Sequence, residues 1–433
     1  MTSPPVQSPS PMLSTHANLS SNAAFNTLAE SLYGKEAIPS QALRCQALLS
    51  AAASHGHDQV RFFSTPGRSE LAGNHTDHNH GKVLAAAIDL DAVAAAAPRD
   101  DSRVFIASEG FPPVELNARE LGKIPSEAGT TAALVRGIAA RFALQGHAVG
   151  GFDAFIHSDV LLGSGLSSSA VIEVLVANIF NHLFNGGRLT ATEIAQIAQY
   201  AENEYFGKPC GLMDPMTCAT GGVVSIDFDD PLHPAVRRLT VDLEAQDTGL
   251  VIVDTGGSHA DLTSDYAAIP QEMKAVAHAF GLASCRGLAR EQFLARLPEL
   301  RPRLGDRAML RVLHYLAENE RVDAQVAALE AGRFQDFLSL VRESGLSSFR
   351  WLQNVLDPAQ SRTQGVALAL ALTEQFLGGT AACRVHGGGF AGTIQAWIPK
   401  HQLDSFRAAI EPVFGAGAVK PLRIRSSGAV AFP

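Results

Sequence analysis

The alternation of apolar and polar positions divides the chain into short strands and amphipathic helices. "VRFFST" (Val60–Thr65) reads as a strand ending in a turn at Pro66–Gly67. "VLAAAIDLDAVAAAA" (Val83–Ala97) reads as a long strand, with Asp89 and Asp91 alternating with apolar neighbours. "SRVFIAS" and "PVEL" continue the strand character, "SEAGTTAALVRGIAARFALQG" has helical spacing, and "GFDAFIHS" returns to a strand. A glycine-serine loop, "GSGLSSSA" (Gly163–Ala170), then leads into the apolar helix "VIEVLVANIFNHLF", a second helix "ATEIAQIAQYAENEYFG" and the strand "GVVSIDF". Residues 23–55 carry helical patterns with short breaks.

The second half opens with a strand at Thr248–Gly256 and continues with several helices between Thr263 and Phe376. A strand–glycine loop–strand unit at Cys383–Ile398, a last helix and a strand around "VKPLRIRSS" close the chain. Strands and helices mix without strict βα alternation, which predicts an α+β fold rather than a doubly wound sheet. The polar, proline-containing passage Asp229–Pro234 is expected to separate two domains, 23–230 and 231–433. Ahead of them, the Ser- and Pro-rich residues 1–22 are expected to form a disordered tail. No repeat of fixed period stands out.

Composition narrows the class. The chain has 433 residues, 46% hydrophobic and 18% charged, an ordinary globular balance with room for two domains. A net charge of −9 disfavours a protein that wraps nucleic acid or lies on anionic lipid, so neither partner is expected. The apolar runs are too short and broken to span a bilayer. Five cysteines without CxxC spacing, and a tail without Lys or Arg, lead to the expectation of a cytoplasmic protein. The oligomeric state is left open; a monomer is compatible with the sequence.

Four stretches could carry chemistry. "AGNHTDHNHGK" (Ala72–Lys82) packs three histidines, an aspartate and two asparagines between glycines. His75, His78 and His80 cannot share one helical face, and spacing leaves a metal, a polar ligand and a wet surface all open. "GSGLSSSA" lets the backbone approach a ligand and starts a helix, whose N-terminus suits phosphate. It lacks GxxxxGK[ST] and the dinucleotide fingerprint, so phosphate charge there would need Mg²⁺ and the helix dipole. It could equally be a connector with a serine cap. "RVHGGGFAGT" is a second glycine turn, suited to close backbone approach or simply to a hairpin. "AENEYFGKPCGLMDPM" sets Glu202 on a helix twelve residues before Asp214, carboxylates that could serve as base, metal ligand or helix cap.

Together, "PGRSELAGNHTDHNHGKVL", "GSGLSSSA" and "GGGFAGT" resemble the GHMP kinases, and among them the galactokinase-like members. "AENEYFGKPCGLMD" is similar to the segment that holds the catalytic aspartate in that family, and the resemblance runs from about Arg61 to Gly392. It implies two α+β domains with the active site in the cleft between them. It also implies ATP and Mg²⁺ as cofactors, and a sugar substrate phosphorylated at its anomeric hydroxyl, galactose to galactose 1-phosphate. On this resemblance Asp214 would take the hydroxyl proton, and Arg68 would keep Asp214 ionised. The nucleotide loop would comprise Gly163, Ser164, Gly165, Leu166, Ser167, Ser168 and Ser169, with Ser169 and Glu202 meeting Mg²⁺. The sugar would meet Asn74, His75, Asp77, Asp214, Tyr266 and Gly388.

The sequence departs from the family pattern at Asn74, where a glutamate is usual. It departs also in "SEL" after Arg68, at His78 and at Leu161, and "TTAALVRGI" offers no aromatic to stack on adenine. An amide in place of a carboxylate changes the preferred hydroxyl partner. A uronic acid, pentose or N-acetylhexosamine kinase, or a non-catalytic sugar-sensing homologue, therefore stays open beside the galactose reading. His78 and His80 receive no role.

Overall fold

Lys82–Pro98, the alanine-rich strand expected from the alternation, is the spine of a nine-stranded sheet in the computed structural model. The structure describes residues 12–160, 166–208, 210–257, 262–380 and 382–432. Successive side chains of a strand face opposite sides, and both sides of this one are buried. Ala92, Ala94 and Ala96 enter the main core under the helix Ser168–Phe184. Val93, Ala95 and Ala97 enter a second cluster under the helices Ala23–Tyr33 and Ile38–Ser54. Alanine is a weak strand former on its own. Here its small side chain lets helices pack on both faces of the sheet.

Lys82–Pro98 pairs antiparallel with Gln59–Ala72, and elsewhere along its length with Phe152–Ser158 and Val223–Asp227. Arg103–Ser108 joins parallel to Phe152–Ser158, with Val114–Asn117 beyond it. The second sheet has four antiparallel strands, in the order Cys383–Val385, Thr393–Pro399, Thr248–Asp254, Val419–Leu422. Between the strands Thr248–Asp254 and Cys383–Val385 of this second sheet the chain runs through the helix Thr263–Ala279, the long helix Leu297–Glu330 with a break at Gly305 (φ 82°), and Phe334–Ser347. The α+β expectation holds.

Two boundary expectations need correction. Asp229–Pro234 is the turn of a hairpin, because Val223–Asp227 pairs with Ala235–Leu239 in the larger sheet. The last strand, Val430–Phe432, also returns to that sheet, against Phe62–Ser64. A cut at 230/231 therefore crosses hydrogen-bonded structure. The tail expectation likewise stops short of residue 22. Leu13 pairs with Val60, Leu19 is fully buried among the N-terminal helices, and Asn22 caps the first of them. Residues 1–11 lie outside the described residues.

The strand's polar positions are not both on a wet face. Asp91 is fully buried and held by Arg44 at 2.7 Å, Arg425 at 3.0 Å, the Tyr33 hydroxyl at 2.6 Å and the Ser64 hydroxyl. Burial opposes its charge, and the two arginines outweigh burial, holding the carboxyl below its ordinary value. This cluster ties the N-terminal helices, the central strands and the C-terminal segment to one carboxylate. Removing one partner of a buried pair leaves charge uncompensated, at a cost of about 3–5 kcal/mol. Asp91→Ala is therefore expected to lose about that much unfolding free energy at neutral pH in urea titrations; a midpoint equal to wild type would contradict the assignment.

Candidate active site

Two of the four stretches singled out from the sequence, the serine loop and the Glu202–Asp214 segment, converge with Arg68 on one carboxylate. The strand Gln59–Ala72 changes register against Lys82–Pro98 between Pro66 and Arg68, and such irregularities re-aim side chains. Arg68 Nε donates to Asp214 Oδ1 at 2.7 Å and Nη2 donates to Oδ2 at 2.8 Å, the two-point geometry that a guanidinium and a carboxylate favour. The Ser167 hydroxyl donates to Asp214 Oδ2, and the Leu166 carbonyl accepts from the Arg68 N–H at 3.4 Å. Asp214 stands in the first turn of the helix Met213–Thr220, where the dipole favours an anion.

The pair is asymmetric toward solvent. The Arg68 side chain is 7% exposed, whereas that of Asp214 is 33% exposed and stays open to a small molecule. Burial opposes the Asp214 charge, but Arg68 and the Ser167 hydroxyl outweigh it and keep the carboxyl below its ordinary value.

The serine loop leads into the helix Ser168–Phe184 through Ser167, which adopts a left-handed conformation (φ 64°). Ser168 and Ser169 open that helix, whose first N–H groups have no intrahelical acceptor. The Ser169 hydroxyl donates to Glu202 Oε1 at 3.2 Å. Glu202 sits in a π-helical turn, Ala201–Phe206, and is buried. Gly163, Ser164, Gly165 and Leu161 lie outside the described residues.

His75, Tyr266 and Gly388 come together on another side. The His75 ring donates from Nε2 to the Gly388 carbonyl at 2.8 Å and lies near-parallel to Tyr266 at 6.4 Å. Burial lowers its pKa to about 4, so the imidazole is neutral and Nδ1 is its acceptor. The Tyr266 hydroxyl donates to the Gly389 carbonyl at 2.9 Å. A Cβ on Gly388 would come within 2.2 Å of the Tyr266 ring, so only glycine permits that approach. Asp77 lies against Gly211, where a Cβ would meet its Oδ2 at 2.3 Å, next to the Asp214 helix. His78 is exposed, and His80 ends a helical turn in the left-handed region (φ 59°).

Asn74 is placed differently from a sugar-facing residue. It has no exposed surface. Its Nδ2 donates to Glu70 Oε1 at 3.0 Å and to the Gly387 carbonyl at 2.7 Å, while Oδ1 accepts from Asn354 Nδ2 at 2.7 Å and the Ser348 hydroxyl at 3.4 Å. The amide's hydrogen-bonding capacity is thus used inside the protein.

Sequence reasoning missed the supports of this site. Glu70 pairs with Arg384, and Ser69 bonds His386 Nε2 at 3.1 Å, bolting the glycine hairpin onto the Arg68 strand. Glu318 on the long helix accepts from the Gly73 N–H at 3.1 Å and the Ser344 hydroxyl at 2.6 Å, and it contacts Arg321. No local pattern announces contacts across 245 or more residues. Glu173 did carry a signal. It is a lone carboxylate four residues after Ser169 on an apolar helix, therefore on the same face. It is fully buried, both carboxylate oxygens are without a hydrogen-bond partner among the described residues, and burial, then Glu202, raises its pKa well above the usual range.

Comparison with known proteins follows the same segments. The family described as GHMP kinases N terminal domain matches residues 133–222, and the galactokinase galactose-binding signature matches residues 52–98. The chain is 31% identical over 377 residues to a galactokinase of Streptomyces coelicolor, covering 86% of this chain and 92% of that protein. The structure is similar to Lactococcus lactis galactokinase complexed with galactose (TM-score 0.76, 26% identity, 89% of this chain and 99% of that one). The mevalonate kinase of Methanococcus jannaschii shares the fold at TM-score 0.60 and 15% identity, covering 84% of this chain and 98% of that one.

The Glu318 support generates a pH prediction. Burial works against its charge, but His314, Arg321, Arg384 and Ser344 outweigh burial and draw the carboxyl from 4.5 down to about 2. A depressed folded-state pKa gives stability that is complete above the unfolded value and lost as pH falls through the folded one. The expected contribution at neutral pH is on the order of 3 kcal/mol, lost between pH 4.5 and about 2. Glu318→Gln is expected to lower the urea midpoint at pH 7 and to close on wild type toward pH 3. A gap that stays constant with pH would contradict this.

Proposed function

The chain belongs to the GHMP kinases, in their galactokinase branch, and from that premise we propose that it transfers the γ-phosphoryl group of ATP to the anomeric hydroxyl of galactose, giving galactose 1-phosphate. The observation that carries the reading is the two-point Arg68–Asp214 pair, with Asp214 open to solvent and Ser167 of the nucleotide loop on the same carboxylate.

Phosphoryl transfer depends on in-line positioning and charge compensation more than on covalent chemistry. Asp214 accepts the proton of the attacking hydroxyl. An anomeric hydroxyl is more acidic than an ordinary alcohol, so a carboxylate of depressed pKa still suffices. Arg68 keeps Asp214 ionised and balances charge as the O–P bond forms. His75, Asp77, Tyr266 and the Gly388 loop orient the sugar, His75 as a neutral ring. The N–H groups opening the helix Ser168–Phe184 face the phosphates.

The residues present also fit Mg²⁺. This hard cation is commonly held in kinases by one or two protein oxygens plus substrate phosphates. Ser169 and Glu202 present a hydroxyl and a carboxylate 3.2 Å apart, with the unpaired Glu173 carboxyl one helical turn beyond Ser169. Bound there, Mg²⁺ would neutralise phosphate charge. All five thiols are free, which supports the cytoplasmic reading.

The internal engagement of the Asn74 amide supports the galactose reading. A sugar panel with product identification by phosphorus NMR is expected to show galactose as the preferred acceptor and a 1-phosphate as the product. Asp214→Asn is expected to lower kcat by about 10²–10⁴-fold while ATP still binds. Near-normal turnover in that variant would sink the base assignment, and a clear preference for another sugar would sink the substrate.

A further inference from the structure

The mechanism leaves the phosphate charge to a metal and a helix dipole, because "GSGLSSSA" contains neither Lys nor Arg. One cation beside the site has no part in it. Gly207 ends the π-helical turn in a left-handed conformation (φ 88°), and the N–H groups of Gly207 and Lys208 both bond the Glu202 carbonyl, at 3.0 and 3.2 Å. The chain thus turns back on Glu202, and Lys208 Nζ reaches its Oε1 at 3.3 Å. The Ser169 hydroxyl donates to that same oxygen. The carboxylate is sealed, at 4% exposed, while the Lys208 side chain is 62% exposed. One partner is fixed and the other can swing.

We propose that Lys208 is a phosphate-side cation of this site: it neutralises Glu202 while the nucleotide site is empty, and moves onto the nucleotide phosphates when a divalent metal takes Glu202. The inference rests on the kinase reading above. A metal ion and an ammonium repel each other, so both cannot hold Glu202 Oε1 at close range. The released ammonium stays tethered by its backbone bonds to the Glu202 carbonyl, and a four-carbon stem with three rotatable donors suits a phosphate oxygen. As a merely stabilising surface contact the pair would contribute little, since most of the side chain is in water.

The role predicts two effects of opposite sense. Without Lys208, Glu202 is free for the metal, yet the phosphates lose a partner. The test is equilibrium binding of a non-hydrolysable ATP analogue, without sugar, by calorimetry across Mg²⁺ concentrations, in wild type, Lys208→Met and Lys208→Arg. At saturating Mg²⁺, Lys208→Met is expected to bind the analogue about tenfold more weakly, as loss of a charged hydrogen bond implies. Its half-saturating Mg²⁺ should fall below that of wild type. Lys208→Arg, which keeps a cation, should retain most of the affinity. Unchanged affinity in Lys208→Met overturns the proposal. So does weaker binding with an unchanged or higher Mg²⁺ requirement, the pattern of a structural contact to Glu202. A wild-type protein that binds no nucleotide would overturn the kinase reading as well.

Discussion

A guanidinium sealed from water needs a counter-charge, and the Arg68–Asp214 pair meets that need in a way that organises the whole site. An unpaired buried Arg68 would be prohibitively costly. Asp214 must therefore come to it, which brings the helix Met213–Thr220 against the strand Gln59–Ala72. Ser167 bonds the same carboxylate, so the N-terminal end of the helix Ser168–Phe184 is set by the same pair. The structural requirement and the proposed chemical one coincide: the ion pair that satisfies Arg68 also keeps Asp214 ionised and ready to accept a proton.

The glycine-hairpin side of the site is built on polar contacts between distant segments. Glu70–Arg384, Ser69–His386 and Asn74–Gly387 fasten the glycine hairpin of the small sheet to the strand that carries Arg68. Glu318 fixes Gly73 from the long helix, and the His314 ring bonds the Asn74 carbonyl at 3.0 Å. Such networks are worth most when fully satisfied, and partial loss is expensive in a low-dielectric interior. His75 and Tyr266 can then use Gly388 and Gly389 carbonyls as fixed points, because the loop that bears them is held from behind.

Much of the fold was legible because alternation and helical spacing are local. Val83–Ala97 and Thr248–Gly256 read correctly as strands for that reason. What failed was non-local. Asp229–Pro234 has the composition of a linker, and only the pairing of Val223–Asp227 with Ala235–Leu239 shows it to be a hairpin turn. The return of Val430–Phe432 to the first sheet has no signature in its own residues. At the site, the residue types were readable but their orientation was not. Asn74 looked like a specificity residue, whereas its partners Asn354 and Gly387 lie hundreds of residues away and turn it inward. Lys208 stood in the quoted "AENEYFGKPCGLMD" all along, unremarkable until the turn at Gly207 brought it back to Glu202.

If Arg68 sets the charge state of Asp214, the pH profile of kcat for galactose phosphorylation must differ between wild type and Arg68→Lys. The profile of kcat reports groups in the substrate complex. Lysine keeps the charge but not the two-point fork, so burial gains on Asp214 and its pKa should rise. The expected result is an acidic limb displaced to higher pH in Arg68→Lys, with activity recovering as pH increases. An acidic limb at the same pH in both proteins would contradict it.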